Sequence, residues 1–255
     1  MDKVRVLAIA AHPDDIEFMM AGTLLLLRER GCLLNYFNIA DGNCGSMQHS
    51  KEKIAKIRQK EAQNAAGFLQ AKYFPSITED FQILYTQNLI KKVAAVIREC
   101  SPNILLVHSL RDYMEDHIIS ARIAATAAFV RNMPNYQTDP PLAPISDSIA
   151  IYHALPYGLR DEIRASIVPD FFVDIGSVIE AKTQILALHK SQKDWLDKTQ
   201  GIDAYLQMMK EMGCQVGQDS KKFEYAEGWQ RHSHLGFAAD DYNPMADILG
   251  EYIIP

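Results

Sequence analysis

The sequence predicts an α/β fold, a Rossmann-like three-layer sandwich around a mainly parallel sheet. Short apolar runs rich in β-branched residues alternate with longer stretches of helical periodicity, the pattern of βαβ units. The 255 residues suffice for one large α/β domain with a substantial core. At 48% hydrophobic and 23% charged, the composition leaves neither a disordered nor a fibrous class.

The elements follow in order. Residues 4–10 form a buried strand, and Phe18, Met19, Gly22, Leu25, Leu26 and Leu27 recur at helical spacing over 16–30. Residues 33–39 read as a second strand, ended by the turn-forming Ala40-Asp41-Gly42-Asn43. Over 50–70, Ile54, Ile57, Ala62, Ala65, Ala66 and Leu69 share one helical face. Tyr73-Phe74 begins a short strand that Pro75 interrupts. A helix over 84–100 precedes a strand over 104–107. The polar run from Arg111 to His117 then opens into an Ala-rich helix over 118–131. Residues 134–144, with four prolines, are a loop; 149–152 and 171–175 are strands; 178–193 and 202–212 are helices. No repeat or second-domain boundary interrupts 1–255. The tail from about residue 230 is expected at the pocket rim or an oligomer interface.

Several function classes fall away. A net charge of -6 with no basic run argues against a nucleic-acid surface. Cys32, Cys44, Cys100 and Cys214 are too scattered for a Cys-x-x-Cys knuckle or redox pair and read as reduced thiols. No signal-like apolar region opens the chain, and 24–27 is too short to cross a bilayer, so a cytoplasmic protein without stable membrane insertion is expected. No Gly-x-Gly-x-x-Gly follows the first strand, which weakens Asp41 as a ribose-binding acid. No Gly-x-Ser-x-Gly elbow is present for a serine nucleophile.

The chemistry concentrates in Ala11-His12-Pro13-Asp14-Asp15-Ile16-Glu17, where the first strand turns into a helix. The carboxyl end of such a strand is where open α/β sheets bind ligands. An imidazole and a carboxylate, His12 and Asp15, supply two ligands of a catalytic zinc site that keeps a position for water. Asp14, between them, can serve as base on that water. Taken alone, the same residues also read as caps of the strand and helix. A third ligand must come from another strand end. His117 is the first candidate and His108 its competitor.

These residues resemble the PIG-L/LmbE-like family of zinc-dependent N-acetylglucosaminyl deacetylases. His12-Pro13-Asp14-Asp15 matches the family's first motif, and Met114-Glu115-Asp116-His117 corresponds to its later His-Pro-Asp-His-like segment. Weaker echoes run in family order: Arg58-Gln59-Lys60-Glu61 with Ala65-Ala66-Gly67, Phe172-Val173-Asp174-Ile175, His189-Lys190-Ser191-Gln192 and Tyr225-Ala226-Glu227-Gly228-Trp229.

The resemblance implies one Zn2+ per chain, held by His12, Asp15 and His117, with Asp14 as general base. It implies that Asp116 orients a neighbouring histidine. Arg58, Asp112 and His108 are the expected substrate contacts. Met114 stands where the family places a histidine that stabilises the oxyanion or protonates the leaving amine. Methionine does neither; the substitutes are His108, His153, His232 or His234 as donor, or zinc alone polarising the carbonyl. The expected activity is hydrolysis of the acetyl group from an N-acetylglucosamine-type conjugate, a small-molecule substrate, by a homo-oligomer. The alternative is a noncatalytic zinc-containing carbohydrate- or metabolite-binding protein of the same fold. The 42–50 loop, the 134–144 loop and Tyr157-Gly158-Leu159-Arg160 are candidates to shape the pocket, with Arg160 and Arg164 placed to meet an acidic substrate group.

Overall fold

A computed structural model describes residues 3–193 and 204–255. Eight strands form one sheet in the order β3-β2-β1-β4-β5-β7-β6-β8. The strands are β1 (Arg5–Ala10), β2 (Leu33–Asn38), β3 (Lys72–Phe74), β4 (Ile104–Val107), β5 (Ala150–Ala154), β6 (Phe171–Asp174), β7 (Ala226–Arg231) and β8 (Ile253–Ile254). The first five run parallel, and β7, β6 and β8 continue the sheet antiparallel.

Alternation along β1 divides the core into two layers. Val6, Ala8 and Ala10 face one hydrophobic cluster and Leu7 and Ile9 the other, as a strand covered on both faces requires. The first cluster packs against α1 (Asp15–Met19), α2 (Ala21–Glu29), α3 (Lys51–Leu69), α6 (Ile179–Leu186) and α7 (Ala204–Asp219). The second packs against α4 (Gln87–Cys100) and α5 (Glu115–Phe129). A last helix, α8 (Pro244–Leu249), buries Met245 and Leu249 in the first layer. This is the α/β sandwich with a mainly parallel sheet that the sequence predicts.

The structure departs from the expected elements in four places, one of them the helix expected over 178–193, which ends as α6 at Leu186 and resumes only at Lys190. The helix expected over 16–30 is broken at Met20, whose φ is -128°. The Glu227 carboxylate on β7 accepts the Gly22 and Thr23 amides at 2.8 Å each and so caps a new helix from more than 200 residues away. Its remaining bonds, from the Thr23 hydroxyl at 2.6 Å and Lys182 Nζ at 2.6 Å, complete a buried and satisfied network. Strands β7 and β8 were not expected, because Ala226–Arg231 mixes Gly, Glu and Gln with its one large apolar residue, Trp229. The helix expected over 202–212 continues to Asp219, and its first two expected residues, Ile202 and Asp203, lie outside the described residues.

Candidate active site

The strand order turns back between β1 and β4. β1 continues to β2 on one side, while β4, reached later in the chain, pairs on its other side. At this switch point the carboxyl ends of β1 and β4 face an open cavity of about 350 Å³, lined among others by His12, Asp14, Asp15, Arg58 and His117. His12 and Asp15 reach it from the turn after β1, and His117 from the first turn of α5 after β4.

His12, Asp15 and His117 converge, with one ligand atom from each lying within 4.8 Å of the others. Asp15 Oδ1 is 3.4 Å from His117 Nε2, and Asp15 Oδ2 is 3.4 Å from His12 Nδ1. The outer nitrogens are held from behind. His12 Nε2 meets Asp116 Oδ2 at 3.1 Å, and His117 Nδ1 meets Asp112 Oδ2 at 3.0 Å. A carboxylate behind each imidazole fixes the ring and its tautomer, the arrangement that supports metal-binding histidines. Burial alone would lower both imidazoles. The bonds to Asp116 and Asp15 instead push His12 up to about 9, and Asp15 and Asp112 push His117 up to about 10. Burial opposes ionisation of Asp15 too, yet the His117 imidazole holds it well below the usual carboxylate range. The site therefore favours positive charge between these three residues, and the donor set fits a divalent cation.

His108 takes a different place. Its Nε2 accepts the Ala11 amide at 2.9 Å, so that nitrogen carries a lone pair and its 3.2 Å approach to Asp15 Oδ2 is not a hydrogen bond in this tautomer. Its ring stacks on His117 at 4.1 Å and 8°. His108, Asp112 and His117 also lie within 4.8 Å, but through this stacking and the His117–Asp112 bond rather than by converging on a point. His108 and Asp112 are fully buried behind the candidate ligands, outside the cavity lining. Neither lines the cavity that the expected substrate contacts would face.

Asp14 stands at the cavity wall on a backbone held at φ 107°, a left-handed conformation that costs a non-glycine residue of order 1–3 kcal/mol. Its two oxygens are gripped from separate elements. Arg58 Nη2 on α3 donates to Oδ1 at 3.2 Å, and the Tyr205 hydroxyl on α7 donates to Oδ2 at 2.5 Å. Burial, the largest influence, raises the Asp14 carboxyl above its ordinary value against the pull of Arg58. The same guanidinium donates to Pro13 O at 2.6 Å and Gly42 O at 3.3 Å. Gly42 is needed at that approach. Its φ is +77°, and a Cβ there would lie 2.6 Å from Arg58 Cδ.

Two further residues complete the frame. Asp80 accepts the Gly42 and Cys44 amides at 2.8 and 2.9 Å, tying the loop after β2 to the cavity. Asp116 Oδ2 also accepts the Phe81 amide at 2.8 Å, and the histidine it orients is the candidate ligand His12. Tyr205 and Asp80 escaped the sequence reading because neither lies in a motif; each acts across a long sequence interval.

Other expectations are corrected. His153 donates Nδ1–H to the His108 carbonyl at 2.7 Å and pairs with His232 at 2.9 Å; neither they nor His234 lines the cavity, so none replaces the missing histidine at Met114. Met114 itself does line it. Among the described residues, the 134–144 loop, Arg160, Arg164 and the tail from residue 230 lie outside the lining. Leu142 O instead accepts from Arg98, and β8 pairs with β6 at the sheet edge. Tyr157, Cys44 and Gly45 do line the cavity, as expected for their loops.

Residues 7–128, which span both motifs, match the family model described as PIG-L, GlcNAc-PI de-N-acetylase. These residues carry a PIG-L family domain. It is 26% identical over 201 residues to a diacetylchitobiose deacetylase of Thermococcus kodakarensis, covering 75% of this chain and 71% of that one. It is 24% identical over 238 residues to a 4-oxalmesaconate hydratase of Pseudomonas putida, covering 88% and 87%. The solved N,N'-diacetylchitobiose deacetylase of Pyrococcus horikoshii shares the PIG-L fold at a TM-score of 0.76 and 22% identity, over 92% of this chain and 85% of that one.

Proposed function

We propose that the protein is a metal-dependent N-deacetylase acting on an N-acetylglucosamine-type conjugate. His12, Asp15 and His117 would hold one zinc ion per chain, with Asp14 as the base. The observation that carries this reading is the convergence of those three donor atoms in the cavity whose wall presents Asp14. The two relatives named as deacetylases, of diacetylchitobiose and of N-acetyl-α-D-glucosaminyl L-malate, support the same class.

Zinc held by His12, Asp15 and His117 would polarise an amide carbonyl and lower the pKa of water to about 7. The chain's own residues do the rest. Asp14, raised by burial and fixed by Arg58 and Tyr205, takes a proton from the attacking water and delivers it to the departing amine. Acetate and a free amino sugar result. Asp116 and Asp112 keep the imidazoles aimed inward throughout. Asp14 then acts as both base and acid, because the Met114 thioether has no proton to give.

Met114 also favours the second reading, a zinc-containing carbohydrate- or metabolite-binding protein without turnover. Acetate release from N,N'-diacetylchitobiose by zinc-loaded protein, with Asp14→Asn as control at verified zinc content, decides between them. Release lost in the control supports the deacetylase. Full zinc with no release, together with release gained in Met114→His, supports the binding protein.

A further inference from the structure

We propose that the outer half of the cavity takes an uncharged group with a flat face, a second sugar or an aromatic ring attached to the N-acetylated sugar, and rejects carboxylate-bearing groups. This rests on the deacetylase reading and narrows its substrate.

The charge of the lining carries the first half of the argument. Among the described residues, the Lys/Arg side chain that lines the cavity is Arg58, and it is committed to Pro13 O, Gly42 O and Asp14. Against it stand Asp14, Asp15 and Asp80. A divalent cation would bring this set to neutrality and leave no positive charge for a further anion. Arg160 lies outside the lining and donates to the Arg164 carbonyl at 2.9 Å. Among the described residues, a carboxylate entering here would be desolvated without a partner, which is costly.

The outer wall carries the second half. Tyr113 and Tyr157 are 54% and 38% exposed, a large opening for aromatic side chains at a cavity mouth. Tyr157 packs edge-on against Phe18 at 5.6 Å and 75°, and against Tyr113 at 5.9 Å and 67°. Tyr113 in turn meets the His117 ring at 5.7 Å and 82°, so in each pair an edge meets a face, the favoured aromatic geometry. The exposed surface of Tyr113 and Tyr157 remains for a ligand. Aromatic walls with a few fixed polar groups suit a ligand that brings area and hydroxyls rather than charge.

The test compares two glycosides of N-acetylglucosamine, the neutral 4-nitrophenyl glycoside and the dianionic malate glycoside. Binding is titrated calorimetrically to the full-length, zinc-loaded Asp14→Asn variant, a change that removes one negative charge and so favours the dianion. The neutral glycoside is expected to bind at least tenfold tighter. Tyr157→Ala should abolish its advantage over free N-acetylglucosamine, and Tyr157→Phe should retain it. Equal or tighter binding of the malate glycoside, binding of neither, or an advantage untouched in Tyr157→Ala overturns the proposal. Because the readout is binding, the two readings fail separately. The predicted preference without acetate release by the wild-type protein would sink the deacetylase and leave this specificity standing.

Discussion

The Tyr205 hydroxyl donates to Asp14 Oδ2 at 2.5 Å across 191 residues of sequence, opposite the Arg58 guanidinium on Oδ1. Burial and the Asp14 charge hold the phenol well above its usual pKa, so it stays a donor. The proposed base is therefore held in one orientation from two helices.

Tyr205→Phe removes one hydrogen bond to a charged group, worth about 1.5–3 kcal/mol, and keeps the ring. The expected result is a kcat lower by about 10–100-fold with zinc content unchanged. Paired with Asp14→Asn the loss should not add, because the two residues act as a unit. Additive losses would show that Tyr205 acts elsewhere.

Asp112→Asn keeps the shape behind His117 but weakens the carboxylate–imidazole pair seen at 3.0 Å. Loss of such a supporting group costs about 10–100-fold in metal affinity. Competition with a zinc chelator measures it. An affinity equal to wild type would remove Asp112 from the metal centre's frame.

Burial pulls His153 down to about 4, beyond the opposing bond to the His108 carbonyl. Between about pH 6.5 and 4 the unfolded chain therefore binds a proton that the folded chain refuses. The stability from this residue is complete above pH 6.5 and lost as pH falls through that window, by about 3 kcal/mol in all. Urea unfolding of wild type and His153→Gln should diverge at pH 7 and converge toward pH 4. Parallel curves would show that His153 is not buried neutral.

Glu227→Ala should be among the most destabilising single changes in the chain. It strands the Lys182 ammonium, now 2.6 Å from the carboxylate, and uncaps Gly22 and Thr23. Breaking a buried pair by removing one partner costs about 3–5 kcal/mol. Chemical denaturation reads it directly, and a cost below about 1 kcal/mol would mean that the network adds little.

Much of this was legible in the chain itself. The β-branched run ending at Ala10, followed by His12-Pro13-Asp14-Asp15, places a candidate ligand pair at a strand's carboxyl end by local pattern alone. His117 could be named because it opens a helix after another buried strand. What stayed hidden depends on pairs far apart in sequence. The break at Met20 is set by Glu227, and the orientation of Asp14 by Tyr205. The burial of His108 and Asp112 behind the ligands follows from stacking and the Ala11 amide, which no spacing encodes. Strand β7 was missed because its place in the sheet rests on Trp229 and on Glu227's buried partners, not on alternation.

The most direct measurement is acetate release from N,N'-diacetylchitobiose by protein stripped with a chelator and then titrated with zinc, alongside His117→Ala. The account predicts no release from the stripped protein, full release at one zinc per chain, and neither tight zinc binding nor release in the variant. Equal release with and without metal, or tight zinc binding retained in His117→Ala, would contradict it.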